Sequence, residues 1–299
     1  MSAQSSLASL AELPSQDPAF YEREYNNRAR VPDNAEHMAR WAALSAQVRA
    51  RGSVLEGLSY AEPGSPLAAD EELDYFPASG PNSPLLVFVH GGYFRALDKR
   101  DHSFVASELP RLGVSVALLN YSLCPAVTVE TIVRQVLQAT AWLYRQSDVL
   151  GHERSRIFAA GHSVGGHLAA MLMAALWPQV GEDLPHDLVK GGLSVSGLYD
   201  LEPLRRAEFL QRDLKLSETD VARLSPAFMQ PATAAPLVTA VGELEAAEYH
   251  RQNALIRTAW PANAAEDVPL PGRHHFNVMD DLAKPDSALL RAVLRLVGA

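Results

Sequence analysis

The stretch Arg156-Ile157-Phe158-Ala159-Ala160-Gly161-His162-Ser163-Val164-Gly165-Gly166-His167-Leu168-Ala169-Ala170-Met171 reads as three consecutive signals. The apolar run 156–160 predicts a buried strand. Gly161 to Gly165 matches G-x-S-x-G, and the residues that follow have the composition of a helix, expected from Val164 to Leu176. A sharp strand-to-helix turn projects the hydroxyl of Ser163, and flanking glycines relieve the crowding such a turn creates. The helix N-terminus then lies behind the serine, where its free amides favour developing negative charge. Ser163 is therefore the candidate nucleophile. His162, inside the turn, and His167, one helical turn on, are expected to be surface or packing residues.

Outward from this stretch, short β-rich runs alternate with helical segments. Leu85–Val89, Val114–Leu119, Gly192–Val195 and Leu237–Val241 are predicted strands, and Val129–Gln146 and Glu218–Leu224 predicted helices. Such alternation builds parallel βαβ units, and parallel strands buried on both faces read as continuous apolar runs. The fold class is α/β, with a mostly parallel central sheet flanked by helices. Residues 76–299 are read as the catalytic domain. Residues 1–75 are charged and helix-rich from Tyr21 to Arg51, and are taken as an N-terminal extension of the same domain or a cap over the site. Leu73–Phe76 is read as a strand in a leading antiparallel part.

Chain order then constrains the partners of Ser163. His90-Gly91-Gly92-Tyr93 directly follows the strongest strand, so Gly91 and Gly92 are candidate oxyanion donors beside the amide of Val164. The base is expected late in the chain, after the strand 237–241 taken as the last of the core. His250, His274 and His275 qualify; His275 is preferred, with His274 second. The acid is expected at the sheet edge, in Gly242-Glu243-Leu244-Glu245-Ala246-Ala247-Glu248, where Glu243, Glu245 and Glu248 compete; Asp200 is a further candidate. Tyr93, Phe94, Tyr121 and Phe276 are candidates to line a substrate pocket. No metal is expected, because adjacent histidines point apart and no further ligand stands at a recognisable spacing. The chemistry needs no cofactor.

Composition sets outer limits. A formal charge of −9 over 299 residues argues against nucleic acid as a partner. The lone cysteine, Cys124, allows no intramolecular disulfide and suits a reducing, cytoplasmic setting. Met1–Pro14 lacks the basic and apolar regions of a secretory leader, and no run approaches the ~20 apolar residues of a membrane span. A small-molecule substrate is expected, and self-association as a homodimer stays open.

These residues resemble the kynurenine formamidases, or arylformamidases, in the hormone-sensitive-lipase-like branch of the α/β hydrolases. The resemblance rests on His90-Gly91-Gly92-Tyr93, on Gly161 to Ala170, on Ser196-Gly197-Leu198-Tyr199-Asp200-Leu201-Glu202-Pro203 and on His275-Phe276. Glu248-Tyr249-His250-Arg251-Gln252 and Tyr25-Asn26-Asn27-Arg28 are similar as well. It implies an α/β-hydrolase fold and hydrolysis of an aryl formamide, N-formylkynurenine to kynurenine and formate, by Ser163, His275 and an acid at Glu245. The family usually has aspartate there, which leaves Glu243 and Glu248 open. A short-acyl carboxylesterase would use the same parts. A binding module with the chemistry lost is a third expectation.

Overall fold

The computed structural model describes residues 3–52 and 54–299; Met1 and Ser2, the start of the stretch read for a leader, lie outside them. Eight strands form one sheet in the order β1-β2-β4-β3-β5-β6-β7-β8. They are β1 (Leu55–Ser59), β2 (Glu72–Phe76), β3 (Ser83–Val89), β4 (Ser115–Leu119), β5 (His152–His162), β6 (Val189–Val195), β7 (Leu237–Gly242) and β8 (Ala264–Leu270). β1 and β2 are antiparallel to their neighbours, and every pairing from β4 to β8 is parallel. The expected boundary at residue 75 falls inside β2, so the N-terminal part supplies two strands of the common sheet.

Burial on both faces explains the apolar runs. Along β3, Leu85, Val87 and Val89 point into one core layer while Leu86 and Phe88 point into the other. The first layer packs beneath the helices Val129–Arg145, Val164–Ala174 and Ala247–Ala259. The second packs under Asn34–Ala50, Lys99–Ala106 and Ala288–Val297.

One expectation is corrected. β7 is neither the last strand nor the sheet edge, because β8 pairs outside it. The sequence Ala-Ala-Glu-Asp-Val-Pro-Leu concealed β8: it carries two acids and Pro269, and only Val268 and Leu270 are buried. Edge strands tolerate such residues because one side makes no ladder bonds. Nor did the weakly apolar β1, with Gly57 and four exposed residues, give a strand signal.

The chain reverses direction across the sheet at β3, which lies between β4 and β5. In open α/β sheets the crevice beyond the carboxyl ends of strands at such a point accepts ligands. Register places the motifs there: Val89 pairs with Gly161, so Gly91 and Ser163 each stand two residues past the same ladder rung.

Buried histidines are expected to make this fold acid-sensitive. Burial pushes His90 down to about 3 and His152 and His167 to about 4, against a free value near 6.5. These rings stay neutral in the native state, whereas the unfolded chain protonates them. Below pH ~6.5 the unfolded state therefore binds more protons, and stability falls as pH drops toward 4. Each ring steepens the loss by up to about 1.4 kcal/mol per pH unit. Urea midpoints are expected to fall clearly between pH 7.5 and 5; equal midpoints would contradict the assignment.

Candidate active site

Ser163 sits at the elbow with φ 58° and ψ −123°, a conformation held because its N–H donates to Val195 O at 2.8 Å. A Cβ on Gly165 would meet Val89 O at 2.0 Å, which is why glycine stands where the helix start presses on β3. The Ser163 hydroxyl lies 3.2 Å from His275 Nε2, and His275 Nδ1 lies 2.7 Å from Glu245 Oε2. The Glu245 carboxylate is fully buried. Its other oxygen, Oε1, accepts from Gly242 N at 2.8 Å and Ser196 Oγ at 2.5 Å. With Nδ1–H facing the carboxylate, the Nε2 lone pair faces the serine, the orientation a general base requires.

The competing carboxylates are engaged elsewhere. Glu243 is exposed and accepts from Gly272 N at 2.7 Å. Glu248 binds Arg251 and accepts from Tyr25 Oη at 2.9 Å. Asp200 caps Glu202 N and lies 3.5 Å from Arg251; burial raises its pKa. None of the three hydrogen-bonds His275. His250 is exposed, and His274 Nδ1 accepts from the amides of Phe276 and Asn277. His162 and His167 are buried rather than surface residues: their Nε2 atoms donate to His275 O and Leu224 O. The His162 bond steadies the backbone of His275, and burial drives the pKa of His162 itself well below the usual value.

His90 turns its ring back to donate to Gly91 O at 2.8 Å and stacks on Tyr121, with centroids 4.3 Å apart. Tyr121 Oη in turn donates to His90 O at 2.9 Å. The Gly91 and Gly92 amides find no acceptor among the described residues, and the Val164 amide opens its helix, where no intrahelical acceptor exists. Gly92 has φ 108° and a Cβ there would meet Ala96 O at 2.0 Å, so the loop demands glycine.

Beside Ser163 opens a cavity of about 540 Å³, in the range of small-molecule sites. Tyr93 and Phe276 line it, as do Trp41 and Phe209. Phe94 and Tyr121 do not, which corrects their expected role. Phe94 is wholly buried against His167, and Tyr121 lies under the loop as the support of His90. The N-terminal part forms one wall through Tyr25, Asn27, Arg28 and Met38.

Sequence reasoning missed Asn27 and Tyr249 as site residues. Asn27 Nδ2 donates to Tyr249 Oη at 2.7 Å, Tyr249 and Tyr93 hydroxyls are 2.7 Å apart, and Tyr93 Oη donates to Tyr25 O. A carbonyl only accepts, so the proton order runs from Asn27 through Tyr249 and Tyr93 to Tyr25. The Tyr249 ring also packs on His275, centroids 4.7 Å apart. This chain of hydrogen bonds ties the N-terminal part to Tyr93, a loop residue held at φ 52°. Only their presence in segments resembling the family hinted at these two residues.

Asp33, His37 and His274 cluster within metal-ligating distance of one another. Their hydrogen bonds do not fit a metal. Arg40 donates to His37 Nδ1 at 2.7 Å and two amides donate to His274 Nδ1, so both Nε2 atoms carry protons.

Residues 86–257 match the α/β-hydrolase fold family. The chain is 30% identical over 240 residues to the kynurenine formamidase of Salmo salar, covering 76% of this chain and 78% of the relative. This protein is an α/β hydrolase of the kynurenine formamidase family. The Danio rerio kynurenine formamidase is 29% identical over 245 residues, 77% of this chain and 79% of the relative. Among solved structures, a candidate thioesterase from a Silicibacter species superposes with TM-score 0.79 at 30% identity, covering 93% of this chain and 98% of the other. Membership makes the chain a hydrolase, which removes the binding-module expectation. Among the described residues of this hydrolase, no helix is long and apolar enough to cross a membrane.

Proposed function

We propose that this hydrolase is an arylformamidase, in which Ser163 is the nucleophile, His275 the base and acid, and Glu245 the carboxylate that orients His275. The observation that carries the reading is the line of contacts from Ser163 Oγ through His275 to Glu245 at a cavity walled by aromatic rings. Ser163 Oγ forms a bond to the formyl carbon as its proton passes to His275 Nε2. Negative charge on the carbonyl oxygen is met by the Gly91, Gly92 and Val164 amides. The C–N bond then breaks, the nitrogen takes the proton from His275, and the aryl amine leaves. Water, deprotonated by His275, releases formate and restores Ser163. The substrate is a small molecule, and a cytoplasmic setting suits the single, buried Cys124.

A formyl group needs little room, so the cavity serves the aryl leaving group. A short-acyl ester or thioester is the second reading, supported by the same serine site and by the Silicibacter relative. Paired turnover decides between them. Purified protein is expected to hydrolyse N-formylkynurenine with a kcat/KM at least about tenfold above that for p-nitrophenyl acetate, a ratio equivalent to about 1.4 kcal/mol of discrimination. Ester turnover alone would favour the carboxylesterase.

A further inference from the structure

Four charged side chains other than histidine line the cavity beside Ser163: Arg28, Arg95, Arg212 and Asp213. Three cations face one carboxylate, on a chain whose formal charge is −9. The local excess of positive charge is therefore opposite in sign to that of the molecule as a whole. Arg95 is already occupied. It donates to Asp213 and to Phe209 O, and its guanidinium stacks over the Phe209 ring at 5.5 Å. Arg212 lies 3.8 Å from that same Asp213 and is otherwise exposed at the rim.

Arg28 differs from both. Among the described residues no carboxylate lies within ion-pair distance of its guanidinium, although its neighbour Arg30 pairs with Glu24 at 3.5 Å. Its backbone is nevertheless fixed. Asn34 Nδ2 donates to Arg28 O at 3.0 Å, and the preceding Asn27 is hydrogen-bonded to Tyr249 and Tyr93 beside the catalytic groups. The fold thus places Arg28, with no carboxylate partner among the described residues, on a held segment that walls the reaction cavity.

We propose that Arg28, with Arg212 at the rim, forms a carboxylate-binding subsite, so that this hydrolase selects substrates whose leaving group carries a carboxylate. The subsite rests on the arylformamidase reading only for the identity of the reacting bond. A guanidinium presents paired N–H donors that match a carboxylate, and the field of a cationic cavity mouth draws an anion in from solution. The aryl ring lies between the two ends of such a substrate, against the aromatic walls. Because the carboxylate stands away from the reacting carbonyl, its recognition acts mainly through KM.

The test compares N-formylkynurenine with its α-carboxamide, which removes the charge and leaves the size unchanged. Wild-type protein is expected to prefer the acid by about tenfold in kcat/KM, a discount from a buried pair because Arg28 is exposed. In Arg28→Gln that ratio is expected to collapse toward one, and Arg28→Lys to recover part of it by charge alone. Equal turnover of acid and amide by wild type, or an undiminished ratio in Arg28→Gln, would overturn the subsite. Failure of the arylformamidase reading looks different, since neither compound would then be hydrolysed. In that event calorimetric binding of kynurenine and of kynurenine amide decides: an acid preference lost in Arg28→Gln upholds the subsite, and equal binding overturns it.

Discussion

Replacing Ser163 by alanine is expected to lower kcat by on the order of 10⁵- to 10⁶-fold while leaving the fold intact. The hydroxyl is the atom that would bond to the formyl carbon, and no neighbouring group can take its place. Ser196 Oγ is committed to Glu245 Oε1, and the Tyr249 hydroxyl stands within the proton-ordered chain from Asn27 to Tyr25. The backbone of the elbow is set by Gly165 against Val89 and by the Ser163 N–H to Val195 O, neither of which involves the serine side chain. The substitution should thus leave the unfolding free energy, read from urea denaturation, within about 1 kcal/mol of wild type. Retention of more than about a hundredth of the activity would remove Ser163 from the proposed mechanism.

Glu245→Gln should cost about 10⁴-fold in kcat, for a reason set by the hydrogen bonds around the carboxylate. Gly242 N and Ser196 Oγ both donate to Oε1, and the Gly242 amide can do nothing but donate. The glutamine carbonyl must therefore occupy the Oε1 position. Its NH2 group is then left facing His275 Nδ1, 2.7 Å away in the wild type. A donor at Nδ1 selects the tautomer with the proton on Nε2, which cannot accept a proton from Ser163. Nitrogen NMR of the His275 ring should show that tautomer directly, and kcat measured alongside should fall with it. A glutamine variant with near-normal kcat and an unchanged ring tautomer would exclude Glu245 as the orienting acid.

The alternatives at this loop show why the acid could not be fixed from residue order. Glu243, Glu245 and Glu248 lie within six positions on the same polar segment, and composition does not distinguish them. The turn after β7 points Glu243 outward to Gly272 and Glu245 inward, and the helix Ala247–Ala259 carries Glu248 to Arg251 and Tyr25. The aromatic residues divide similarly. Tyr93 and Phe94 are consecutive and both have positive φ, yet one side chain reaches the cavity and the other the core.

What the sequence determined by itself is local or periodic. The apolar runs specify strands buried on both faces, the G-x-S-x-G turn specifies a serine projected between strand and helix, and two glycines after β3 specify a loop that a backbone can approach. Each is written in fewer than about ten consecutive residues, so each can be read without knowing the rest of the chain. Tertiary structure alone decided what depends on convergence. It placed β8 outside β7 despite its polar composition, set Glu245 rather than its neighbouring acids against His275, and set Asn27 against Tyr249 across more than two hundred residues. It also left Arg28 facing the cavity without a carboxylate partner among the described residues. Hydrogen bonds and ion pairs depend on distances of a few ångströms between distant segments, and a linear pattern carries no such distances.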